Sequence, residues 1–183
     1  MGEGSIRALV AYESMFGNTE RVAHAVAAGL ALEDVETSVL DVSGPSPVDV
    51  RDIDLLVVGA PTHAFSLSRP TTRQEAVKQG GREAAAEDGL REWIDRLPTQ
   101  SWRAPLAAAF DTRVTKVRYL PASASRRATH LLGRHGCRMV GSPAGFLVRD
   151  VPGPLESREV DRAIAWGRQI AVAAQNRLAV SQI

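Results

Sequence analysis

The sequence predicts an α/β fold: a doubly wound, five-stranded parallel sheet in one domain spanning residues 1–183. Three observations carry this prediction. Short apolar runs alternate along the chain with segments whose apolar residues recur at helical spacing. One run, Ile53–Pro61 ("IDLLVVGAP"), is apolar on both faces, as a strand buried between two helical layers requires. Gly, Pro, Ser and Asn collect where the runs end, which marks connections rather than elements.

The elements follow in order. Ile6–Tyr12 reads as the first strand. Thr19–Leu32 reads as a helix, with Val22, Ala23, Val26, Ala27 and Leu30 along one face. Val35–Val42 alternates as a strand does, and "SGPSPVD" after it is a loop. Ile53–Pro61 is the third strand. Between Thr71 and Leu97 the pattern is helical but broken at Gly80-Gly81, so two helical pieces are expected as an insertion, the second over "AEDGLREWIDRL". Ala104–Phe110 is a fourth strand. Ala122–His135 is a helix stopped by Gly136, where a residue free to adopt positive φ is favoured. Cys137–Val148 is a fifth strand, bent at its Gly and Pro residues. Glu156–Ala174 closes the core, about 6–175, as the last helix.

Composition narrows the function classes. Hydrophobic residues make up 44% and charged residues 23%, ordinary for a globular domain. No apolar run approaches the roughly 20 residues of a membrane helix, so no membrane span is expected. The start, "MGEGSIRALVAY", lacks the basic and long apolar regions of a signal peptide. The net charge of +1 argues against nucleic acid as a partner. With one cysteine, Cys137, no intramolecular disulfide forms; a reducing, cytoplasmic location is expected, with Cys137 as buried filler rather than nucleophile. The histidines at 24, 63, 130 and 135 form no pair at metal-ligand spacing, so no metal site is expected.

In a doubly wound sheet the ligand sits beyond the carboxyl ends of the strands, at a topological switch point. The loops after strands one, three and four, 13–18, 61–70 and 111–120, are therefore the places to look. The first runs directly into a helix start, where unpartnered N–H groups and the helix dipole can hold a phosphate without any lysine. Ser14 and Thr19 add hydroxyls, Gly17 lets the backbone pass close to a ligand, and Asn18 tolerates a tight turn. Arg21 in the first helical turn is an unusual cation there unless an anion is near. The plainer reading is a helix capped by Asn18. Against it stand Met15 and Phe16, loop apolars expected to be exposed and to cover something.

Gly-x-Gly-x-x-Gly and Gly-x-x-x-x-Gly-Lys-Ser/Thr are both absent. The spacing Tyr-x-Ser-x-x-Gly-Asn-Thr-x-x-x-Ala, Tyr12 to Ala23, resembles the phosphate-loop signature of flavodoxins. Ala11 departs from that pattern, which usually has a larger residue there. "GAPTHAF", Gly59–Phe65, resembles a segment of flavodoxin-like quinone reductases. The resemblance implies a flavodoxin-like three-layer sandwich with strand order 2-1-3-4-5 and FMN as cofactor. By position it implies that Ser14, Met15, Phe16, Gly17, Asn18 and Thr19 meet the phosphate. Pro61, Thr62, His63 and Ala64 would line FMN, with Phe65 near the ring; loop packing is the alternative for Phe65. In the third loop Asp111, Thr112, Arg113 and Val114, which come straight off the strand end, would meet the ring edge, and the resemblance implies that Tyr119, the stretch's one tyrosine, would stack on the flavin.

Arg69, Arg73, Arg113, Lys116, Arg118, Arg126 and Arg127 are expected to gather as a basic rim. Such a rim would stabilise negative charge on the reduced cofactor or attract an anionic partner. Solvated surface arginine is the alternative, since the chain has 20 Arg. The resemblance therefore implies electron transfer through FMN, to a redox partner protein or a small anionic or quinone substrate. Alternatives are an NAD(P)H-dependent reductase, with a pocket shared at a homodimer interface, a protoporphyrinogen oxidase-like enzyme, and a flavin-free interaction module. No side chain is expected to be catalytic; FMN would carry the chemistry.

Overall fold

The computed structural model describes residues 5–44, 49–63, 66–86, 88–98, 102–119 and 122–180. The chain order is β1 (Arg7–Tyr12), α1 (Asn18–Ala31), β2 (Glu36–Asp41), β3 (Leu55–Pro61), α2 (Pro70–Lys78), α3 (Leu90–Asp95), β4 (Leu106–Val114), α4 (Ala124–Arg134), β5 (Arg138–Met139), β6 (Ala144–Val148) and α5 (Glu159–Val180). Short 3₁₀ turns at Glu83–Ala86 and Thr115–Val117 complete it. The sheet is parallel throughout, in the order β2-β1-β3-β4-β5, with β6 also on β4.

Alternation along β1 builds both faces at once. Ala8, Val10 and Tyr12 join one buried cluster with Val22, Val26 and Leu30 of α1 and Ala163, Ile170 and Ala174 of α5. Leu9 and Ala11 join a second cluster with Leu90 and Ile94 of α3 and Leu131 and Leu132 of α4. The result is three layers, helix–sheet–helix. Each fully buried Leu, Val or Ile in it contributes about 1.5–3 kcal/mol over leaving it exposed. On the first face α1 and α5 pack backbone to backbone. An added Cβ on Gly29 would lie 2.2 Å from the Ile164 carbonyl oxygen, and one on Gly167 2.4 Å from that of Val26.

Two strand expectations needed correction. The fourth strand does not stop at Phe110: it runs on to Val114, because β6 pairs with that extension from Phe110↔Ala144 to Val114↔Val148. The fifth strand is split rather than bent. Arg138–Met139 and Ala144–Val148 lie on the same neighbour, and Gly141, at φ +67°, sits in the break. The 71–97 segment forms α2, the 3₁₀ turn and α3, with Gly80 at φ +92° in the turn after α2. No described helix is long and apolar enough to cross a membrane.

Candidate functional site

The carboxyl ends of β1, β3 and β4 point to one edge, and a cavity of about 310 Å³ opens there. This volume is at the small end of the roughly 300–1,000 Å³ usual for small-molecule sites. The first loop forms its floor through Ser14, Met15, Phe16, Asn18 and Thr19. Pro61, Thr62 and His63 form one wall and Thr112 and Arg113 another, while α2 closes a side with Thr72 and Gln79.

The floor is built by hydrogen bonds within the loop. Ser14 Oγ accepts from the Gly17 N–H at 3.1 Å, which curls the chain before α1. Gly17 is at φ +82°, a conformation that favours glycine, and space is open where its Cβ would stand. The first helical hydrogen bond runs from Arg21 N–H to the Gly17 carbonyl. The N–H groups of Asn18, Thr19 and Glu20 therefore precede the ladder and carry the positive end of the helix dipole. Thr19 Oγ1 lies 2.8 Å from Thr112 Oγ1 in a buried pair.

Several expected roles changed. Asn18 does not cap α1: its Nδ2 donates to the Pro152 carbonyl at 3.2 Å, and Gly17 holds the cap position without a side-chain bond. Gly153, at φ +106°, lets the chain pass this close, since a Cβ there would meet the Asn18 amide at 2.7 Å. Met15 is not exposed. It is 2% accessible and packs on Ala76 of α2, with Phe16 half-buried beside it. The reason is α2 itself, which lies across the loop. Arg21 is exposed and does not line the cavity.

In the third loop, Asp111 is fully buried and faces away from the cavity. It is held in a bidentate pair by Arg113 at 2.7 and 2.6 Å and accepts from Ser125 N–H and Oγ. The strand extension has carried it inside the sheet. Tyr119 is 84% exposed and lines a neighbouring hollow, not the cavity. Ala64 and Phe65 lie outside the described residues. His63 and Ser66 exchange paired backbone hydrogen bonds at 2.9 and 3.0 Å. Burial, then the Arg73 charge, pushes the His63 pKa down, so its ring is neutral at pH 7. Thr62 Oγ1 accepts the Ala124 N–H at 3.0 Å, tying this wall to α4.

The basic rim forms only in part. Arg73 is fully buried and donates to Ser68 Oγ at 3.0 Å and Glu92 at 3.2 Å. Arg118 and Arg126 are exposed and sit around the neighbouring hollow with Arg113.

Two features were missed by sequence reasoning. Arg82 Nη2 donates to the Ser14 carbonyl at 2.7 Å, its N–H donates to the Met15 carbonyl, and its guanidinium pairs with Asp41 and Glu20 at 3.1 and 3.6 Å. It straps the first loop from outside. Glu13, wholly buried, accepts the Leu90 N–H at 2.8 Å and joins Ser68 and Arg73 under α2 and α3. Burial pushes its carboxyl pKa up. The nearest signal was Gly80-Gly81, the turn that brings Arg82 back.

No family model matches this sequence, and no curated protein matches it. Solved structures do. The chain is similar to flavodoxin 2 from Bacillus cereus, in its oxidised form, at 18% identity and TM-score 0.65, over 93% of this chain and 99% of that one. It is similar to a cysteine-to-alanine mutant of flavodoxin from Pseudomonas aeruginosa at 15% identity and TM-score 0.67, with the same coverage. It also matches the flavodiiron protein from Giardia intestinalis at 14% identity and TM-score 0.57, over 93% of this chain but 36% of that one. At these identities the likeness shows the fold, which is flavodoxin-like.

Proposed function

We propose that this chain binds FMN in the cavity at the sheet's carboxyl edge and works as a flavodoxin-like redox protein. The single observation that carries the reading is the floor of that cavity. A helix start, which Gly17 at positive φ leads into, and the hydroxyls of Ser14, Thr19 and Thr112 converge on one small space. That donor set fits a phosphomonoester: it offers neutral N–H and O–H donors, with the helix dipole in place of a lysine.

Each residue has a task in this reading. The N–H groups of Asn18 and Thr19 and the Thr19 hydroxyl bind phosphate oxygens. In the Thr19–Thr112 pair one hydroxyl donates to the other, so one proton stays available for the ligand. Gln79 and Thr72 face the polar chain between phosphate and ring, and Pro61, Thr62 and neutral His63 flank the ring. Buried Met15 excludes water beneath the phosphate. Arg82 and Glu13 act at a distance, fixing the loop between strap and sheet. Bound FMN supplies reversible one- or two-electron transfer; the protein supplies position and electrostatics.

A second reading, an NAD(P)H-dependent reductase of a quinone or another small molecule, is favoured by the roomy hollow that shares Arg113 with the cavity. Two measurements test both. FMN added to flavin-free protein at micromolar levels should lose fluorescence, and the purified holoprotein should be yellow. A colourless protein that leaves FMN fluorescence unchanged would instead be an interaction module. NAD(P)H oxidation with a quinone acceptor then separates reductase from carrier.

A further inference from the structure

A second hollow opens beside the cavity and shares Arg113 with it. It lies between the start of α4, Arg118 and Tyr119 after the 3₁₀ turn, and the β6 edge, with a volume of about 720 Å³. Arg113 forms its inner side. Nε and Nη2 of Arg113 are taken by Asp111, which fixes the guanidinium plane. Gly145 makes room for it: a Cβ there would lie 2.7–2.9 Å from the Arg113 guanidinium. Among the described residues Nη1 has no acceptor.

Arg118 and Arg126 form the outer side. Both are exposed, and neither has a carboxylate partner among the described residues. The Arg118 guanidinium carbon lies over the Tyr119 ring, 4.5 Å from its centroid. Ser142, also exposed, adds a hydroxyl from the β5–β6 break. Asp111 balances Arg113, so the hollow keeps the two charges of Arg118 and Arg126 uncompensated. Three guanidiniums facing one space match the oxygens of a phosphate or carboxylate, which they meet with paired N–H donors.

We propose that this hollow is a binding site for a small anion-bearing ligand, its phosphate or carboxylate group held by Arg113 Nη1, Arg118 and Arg126. Because Arg113 lines both spaces, a ligand here stands beside the flavin cavity and is the substrate class that the redox reading calls for. That last link rests on the FMN reading; the anion site does not.

The test uses the full chain, flavin-free and with saturating FMN, and titrates inorganic pyrophosphate and, separately, citrate at low salt. Backbone amide spectra read the position. Saturable shifts at Arg126 and Ser142 are expected in both forms. The tighter of the two probes identifies phosphate or carboxylate as the recognised group. The double variant Arg118→Ala/Arg126→Ala should weaken binding by about tenfold or more, and Arg126→Lys should recover part of it. FMN quenching should be the same in wild type and variants. Shifts that never saturate, or that the double variant leaves in place, would overturn the proposal. Should FMN fail to bind while pyrophosphate still shifts Arg126 and Ser142, the redox reading falls and the anion site stands.

Discussion

Thr19 Oγ1 and Thr112 Oγ1, 93 residues apart in sequence, meet at 2.8 Å in a buried hydrogen bond. It joins the start of α1 to the extended end of β4 across the cavity floor. Replacing one partner leaves the other hydroxyl buried and unpaired, at a cost of about 1–3 kcal/mol, whereas replacing both is cheaper. Thr19→Val and Thr112→Val should therefore each lower stability, and the double variant should lose less than their sum, with a coupling of about 1 kcal/mol. Urea unfolding of the four proteins measures this. Strict additivity would mean that the pair does not form in solution.

Glu13 makes stability depend on pH. Burial raises its folded pKa above the ordinary value of 4.5, so the native state holds the proton more tightly than the unfolded chain. The contribution is fully present below about pH 4.5 and is lost as pH rises through the folded value. Glu13→Gln removes this titration. Melting temperatures at pH 4.5 and pH 7 should show the variant gaining on the wild type at the higher pH. A difference independent of pH would contradict the account.

Gly29→Ala should destabilise despite improving helix propensity. Alanine in a helix interior gains about 1 kcal/mol over glycine. The new Cβ, however, would meet the Ile164 carbonyl oxygen at 2.2 Å, and backbone cannot step aside as a flexible side chain can. Overpacking of this kind costs about 1–3 kcal/mol or more, so the clash wins. Denaturant unfolding should give a lower midpoint; an unchanged or higher one would mean that α1 and α5 pack less closely.

Cys137 should be inert in the folded protein. Burial pushes its thiol pKa up to about 11, so almost no thiolate exists at pH 8. A thiol reagent should label it only after unfolding. Prompt labelling of native protein would contradict its placement.

The fold was largely legible in the sequence because its central strands are apolar on both faces. Leu55–Val58 shows that directly, with every residue buried. Polar sequence hid the rest. Asp111-Thr112-Arg113 reads as a loop, and it becomes strand because β3 pairs with its start on one side and β6 with all of it on the other. Met15 looked exposed because Ala76, which covers it, arrives from another element. Arg73 looked like surface because Glu92, the carboxylate that pairs with it, lies 19 residues further along the chain. The first loop was readable since its device is local: Ser14, Gly17 and the helix start are neighbours in sequence. Arg82, which straps that loop, left only the neighbouring Gly80-Gly81 turn as a trace.

The central claim is that this loop recognises a phosphate. Fluorescence titration of flavin-free protein with FMN and with riboflavin, identical but for the phosphate, tests it most directly. The account predicts that FMN binds at least about 100-fold more tightly, as several charge-assisted hydrogen bonds to one dianion would give. Equal affinities for the two flavins, or binding of neither, would contradict it.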